Sequence, residues 1–274
     1  MHTGQHRSNR VTQSVEFVEH KLYQPGDPIS SLDWKVFART DKLMIRRQSA
    51  DTDANVVFLL DASGDMQSTH SGDIADWTES KFGRALTAVA GLSQMSDKRG
   101  DPIGRWVAGG VDAPSGLEGY IPPSQRSLRS VFHRLASVNP AGEATLHTNL
   151  AQLALQLPRK SVVIIVSDWM EDPSLWGPHL ETLTAIGHDV RCLQLFSKVE
   201  WDLDLPESIR VYSAEYQQQI PLDTPAMKSA WLDAVDQYQR EIDTWSGRAR
   251  AIWVQAAVEG ELLPALIRLV RGRV

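Results

Sequence analysis

The chain predicts a doubly wound, mostly parallel α/β sheet that carries a β-rich N-terminal extension. Three observations carry this. Two short β-branched runs, Asn55-Val-Val-Phe-Leu-Leu60 and Ser161-Val-Val-Ile-Ile-Val-Ser167, have the continuous hydrophobicity of strands buried on both faces. Around them, strand-like runs alternate with segments of helical spacing, the pattern of βαβ units. Both runs end in acid, at Asp61 and Asp168, and the C-terminal edge of an open α/β sheet is where ligands bind.

The elements follow in order. Residues 1–54 form the extension. Val15 to Tyr23 alternates like a strand, Pro25-Gly26 sets a turn, Ser31 caps a short helix through Arg39, and Leu43 to Gln48 is a second strand. Residues 55–274 form the α/β domain. After the Asn55 strand, Phe82, Leu86, Val89 and Leu92 mark a helix between Thr78 and Met95. Asp101 to Ala108 is a strand stopped by Gly109-Gly110, and Ser127 opens a helix to Leu135. Thr148 is read as the N-cap of an amphipathic helix that Pro158 ends. The Ser161 strand, a helix over Leu175–Ile186, strands at Asp189–Phe196 and Ser208–Tyr212, a long helix from Pro225 to Trp245, a strand at Arg250–Ala256 and a helix over Leu262–Val270 complete the chain.

Composition narrows the function classes. The formal net charge of −6 offers no global basic field for nucleic acid. The single cysteine, Cys192, lies in an apolar stretch and reads as a core thiol, which fits a reducing compartment. No apolar run approaches the ~20 residues that cross a bilayer, and the polar N-terminus lacks the apolar middle of a signal peptide, so a cytoplasmic location is expected. The eight histidines show no metal-ligand spacing and are expected on exposed loops. Arg268, Arg271 and Arg273 end the last helix, where cations complement its dipole.

Asp61, Ser63, Asp65, Thr148 and Asp168 are the candidate site. At strand ends they would converge on an oxygen-rich, negative pocket suited to a hard cation such as Mg²⁺. Asp65 alters such a site. Two like charges about 4 Å apart cost on the order of 4 kcal/mol at an effective dielectric of 20, so a carboxylate there opposes the approach of a ligand acid.

The order Asp61-x-Ser63-x-Asp65, then Thr148, then Asp168 resembles the metal-ion-dependent adhesion site of the von Willebrand factor type A fold, which reads Asp-x-Ser-x-Ser, Thr, Asp. That resemblance implies direct Mg²⁺ contacts from the hydroxyls and water-mediated ones from the aspartates. Asp65 departs from it by standing where Ser is usual. Upstream, Glu16-Phe17, Lys21-Leu-Tyr-Gln-Pro-Gly-Asp27, Leu32-Asp-Trp34 and Ala38-Arg39 are similar to the signature of the bacterial family called domain of unknown function 58. Lys21 replaces the usual Arg, Ser31 stands where a basic residue is common, and the two membrane segments many members carry are not seen. The resemblance implies a non-enzymatic adaptor working beside a MoxR-type AAA+ ATPase on a client complex. Two other readings stay open from the residues themselves: a metal-dependent phosphoesterase using Asp61 and Asp168, and a metal-free scaffold.

Overall fold

The computed structural model describes residues 18–23, 32–48, 54–69, 77–111, 114–125, 127–143, 145–213 and 218–272. The chain divides into two compact units, Met1–Thr52 and Asp53–Val274. In the first, β1 (Val18–Leu22) pairs antiparallel with β2 (Met44–Gln48), and α1 (Trp34–Thr40) lies between them in the chain. The Asp33 carboxylate accepts the Val36 N–H at 3.2 Å, so Asp33 caps this helix two residues later than the expected Ser31. Ser31 and the Pro25-Gly26 turn lie outside the described residues.

The second unit runs β3 (Val56–Ala62), α2 (Lys81–Arg99), β4 (Ile103–Gly109), α3 (Gly116–Gly119), β5 (Ile121–Ser124), α4 (Leu128–Leu135), α5 (Leu146–Gln156), β6 (Val162–Ser167), α6 (Pro173–Ala185), β7 (Asp189–Phe196), α7 (Lys198–Asp202), β8 (Ser208–Ser213), β9 (Gln218–Asp223), α8 (Thr224–Arg248), β10 (Ile252–Ala257) and α9 (Leu262–Arg271). Six strands form one sheet in the order β10-β7-β6-β3-β4-β5. All neighbours are parallel except β5, which runs antiparallel to β4 at the edge. Pro122 and Pro123 explain why β5 escaped the sequence: proline cannot donate to a ladder and is confined to such edges. The expected Ser208 strand belongs instead to a separate hairpin, β8 with β9.

Helices on both faces explain why β3 is apolar from Val56 to Leu60. Val56, Phe58 and Leu60 face Phe82, Ala85 and Val89 of α2, Val131 of α4 and Leu269 of α9. Val57 and Leu59 face the opposite layer, with Leu150 of α5, Leu180 of α6 and Ile242 of α8. Helices cover both faces, which is the doubly wound arrangement. Cys192 is fully buried in the second layer, as expected of a core thiol. The α6–α8 contact needs a glycine: a Cβ on Gly177 would fall inside van der Waals distance of the Trp245 indole. Gly177→Ala is therefore expected to destabilise the fold by about 1–3 kcal/mol, read from the urea midpoint at constant m.

Strand order reverses around β3. The chain passes from β3 outward to β4 and β5, then returns to the other side of β3 with β6. The crevice outside the C-terminal ends of β3 and β6 is thus the switch point at which such sheets hold ligands.

Candidate functional site

Leu60 of β3 pairs with Val166 of β6, so the next residues, Asp61 and Ser167, stand side by side at the sheet edge. Both oxygens of Asp61 are engaged: Oδ1 accepts the Ser63 N–H at 2.9 Å, and Oδ2 accepts the Ser167 hydroxyl at 2.6 Å. Asp61 is buried, and burial together with the nearby Asp168 carboxylate pushes its pKa up to about 7. Ser63 is also buried, and its side chain lies close enough to the Asp61 carboxylate to oppose that rise.

The residue after Asp168 is strained into place. Trp169 takes a left-handed φ of 62°, which costs a non-glycine residue on the order of 1–2 kcal/mol. Its N–H donates to Ser167 Oγ at 2.8 Å, its indole N–H donates to the Leu193 carbonyl at 3.3 Å, and its own carbonyl accepts the Tyr238 hydroxyl. The ring packs edge-on against Trp176 and tilted against Trp253, at centroid distances of 5.0 and 4.5 Å. This anchoring holds the backbone turn that presents Asp168.

A residue that sequence reasoning missed completes the site. Lys81, the first residue of α2, buries all but 4% of its side chain and places Nζ 3.2 Å from Asp168 Oδ2 and 2.8 Å from Glu200 Oε2. The two carboxylates hold the ammonium charged, raising its pKa above the ordinary lysine value against the pull of burial. Asp65 sits in the 3-10 turn Gly64–Gln67, half-buried. Burial and the charges of Asp168 and Glu200 raise its pKa, and Lys81 opposes them.

Four of the five expected residues therefore gather here: Asp61, Ser63 and Asp168 at the floor, Asp65 at the rim. Among the described residues no hydrogen bond joins Thr148 to them. Helix α5 begins at Leu146, with Thr145 at the cap position, so Thr148 is not the N-cap. Leu146, Asn149 and Leu150 take the buried arc and leave Thr148 exposed, where its hydroxyl shares a 3.1 Å hydrogen bond with Nε2 of His147. His147 is no loop histidine either: its backbone N–H donates to Glu171 Oε2 at 2.9 Å, and its Nδ1 lies 3.0 Å from Glu171 Oε1. His188 is buried, with Nδ1 accepting the Ser161 N–H at 3.2 Å. His70 and Arg273 lie outside the described residues.

The donors do not fit Mg²⁺ as they stand. The Ser63 hydroxyl suits a hard cation, but Asp168 is already met by the chain's own cation, the Lys81 ammonium. Among the described residues, no three His, Cys, Asp or Glu side chains come together as metal ligands.

Fold and site together define an α/β domain whose strand ends present an acidic cluster around a buried lysine. Residues 19–241 match the family described as "Protein of unknown function DUF58", and the chain belongs to that family. It is 25% identical over 193 residues to the uncharacterized protein Rv1480 of Mycobacterium tuberculosis, a match covering 69% of this chain and 56% of that protein. The chain thus spans little more than half the length of this relative. Among solved structures, the conserved hypothetical protein BatB from Bacteroides thetaiotaomicron superposes with a TM-score of 0.50 at 12% identity, over 80% of this chain and all of BatB. The SpRpn10 VWA domain aligns with a TM-score of 0.43 at 12% identity, over 81% of this chain and 98% of that domain. No helix among the described residues is long and apolar enough to cross a membrane.

Proposed function

We propose that this chain is a non-enzymatic interaction domain that docks a protein partner on the C-terminal edge of its sheet. In this reading it works in the cytoplasm beside a MoxR-type AAA+ ATPase, in the assembly or maturation of a bacterial complex. The observation that supports docking at this edge is the convergence of Asp61, Ser63, Asp65 and Asp168 at the switch point. The ATPase rests on the family resemblance alone, which is an association and not a physical inference.

Charge sets the kind of partner. Asp168 and Glu200 pair with a single ammonium and Asp65 lies close to it, so the edge carries more acid than base and attracts basic side chains. Exposed Val111 and Met170 supply apolar surface on the same edge. The metal-dependent phosphoesterase alternative asks Asp61 and Asp168 to serve a metal, and Asp168 is paired with Lys81.

Co-purification with the cognate ATPase tests the proposal. Capture is expected with the wild-type chain, at reduced yield in high salt, and is expected to fall in the rim variant Asp65→Asn, which leaves both Lys81 ion pairs in place. No association in any nucleotide state removes the ATPase reading. Phosphoester turnover lost in Asp61→Ala would instead establish the enzyme.

A further inference from the structure

The position of Lys81 is physically odd. The first turn of a helix carries the positive end of the macrodipole, where a cation is disfavoured, and a lysine is seldom buried without a counter-charge. Neither the packing of α2 nor its capping calls for it: the cap is supplied by Ser80, whose Oγ accepts the Gly83 N–H at 3.0 Å, and the apolar face is supplied by Phe82, Ala85, Val89 and Leu92. What holds Lys81 is the ion pair to Asp168 at 3.2 Å and to Glu200 at 2.8 Å, on the edge where Asp61 and Asp65 add two more carboxylates. The charge that a metal would neutralise is therefore met, in part, from within the chain.

We infer that Lys81 is the resident cation of this site and stands in the place of a divalent ion, so that the strand-end edge is assembled without metal. The proposal rests on reading that edge as the functional one, but not on any particular partner. A tethered ammonium is present at high effective concentration whatever the free metal level. It also bridges α2 to the loop after β6 and to α7, three elements whose mutual placement shapes the rim. A single positive charge leaves the edge negative, in keeping with a basic partner surface.

The test is titration of the full chain with Mg²⁺ and Mn²⁺, read by calorimetry and by Tm. The wild type is expected to show no saturable heat and no Tm shift through millimolar metal. Lys81→Met removes the ammonium and is expected to admit the ion, with Tm rising roughly 5–10 °C when metal is about a hundredfold over Kd. Lys81→Arg keeps the charge and is expected to behave as wild type. If Lys81→Met does not fold in metal-free buffer, it is refolded in millimolar Mg²⁺: recovery supports the assignment, and no recovery overturns it. Saturable binding to the wild type that Asp61→Ala abolishes overturns it as well, as does a folded Lys81→Met that ignores metal. None of these readouts involves the ATPase, so failure of partner capture leaves this result standing, and the reverse holds too.

Discussion

Lys81→Met is expected to lose about 3–5 kcal/mol of folding stability in metal-free buffer, the usual cost of removing one member of a buried ion pair. The loss comes less from the attraction given up than from the charges left behind. Asp168 is 3% exposed and would keep its carboxylate beside Asp61 and Asp65 with no cation to offset them. Glu200, whose side chain is 38% exposed, is screened by water and contributes the smaller share. Urea denaturation gives the magnitude, and a double-mutant cycle gives the cause. Lys81→Met combined with Asp168→Asn should cost clearly less than the two single changes summed, because the second removes the charge that the first orphaned. Additive losses would mean that Lys81 stabilises through its methylene packing instead.

Asp61→Asn is expected to stabilise the chain at pH 8 by roughly 2–4 kcal/mol and to make little difference at pH 4. The sign follows from the direction of the shift. In the folded chain burial and Asp168 raise the Asp61 pKa from 3.8 to about 7. Below 3.8 the carboxyl is protonated in both states and contributes nothing. Between 3.8 and 7 the unfolded chain gives up the proton while the folded chain keeps it, so wild-type stability falls as pH rises. Above 7 the full cost of an ionised, buried carboxylate is paid. Asparagine carries no such charge, and its side-chain oxygen can still accept the Ser63 N–H. Denaturation midpoints of both proteins across this range should diverge with rising pH. Parallel curves would show that Asp61 ionises freely in the folded state. Stabilisation accompanied by lost partner capture would mark Asp61 as a residue kept for function at the expense of stability.

Much of the architecture was written in local pattern. The run from Val56 to Leu60 had to be a strand covered on both faces, because no alternation of polar residues offered it a solvated side. The Phe82, Val89 and Leu92 spacing marked α2, and the acids at the ends of β3 and β6 pointed to the edge where Asp61 and Asp168 do meet. Other features were beyond the reach of a one-dimensional pattern. Two prolines hid β5, whose edge position is what makes them tolerable. The start of α5 at Leu146 rather than Thr148 put Thr148 on the exposed arc of the first turn, beside His147. Lys81 is the clearest case. Nothing near it in the chain distinguishes it from a lysine at the start of any amphipathic helix, and its partner Asp168 lies 87 residues away. Sequence determined where carboxylates would gather, through strand length and strand ends. Only the tertiary structure decided which cation meets them, because that depends on how α2 docks against the switch point, and docking is set by the whole core rather than by any local run.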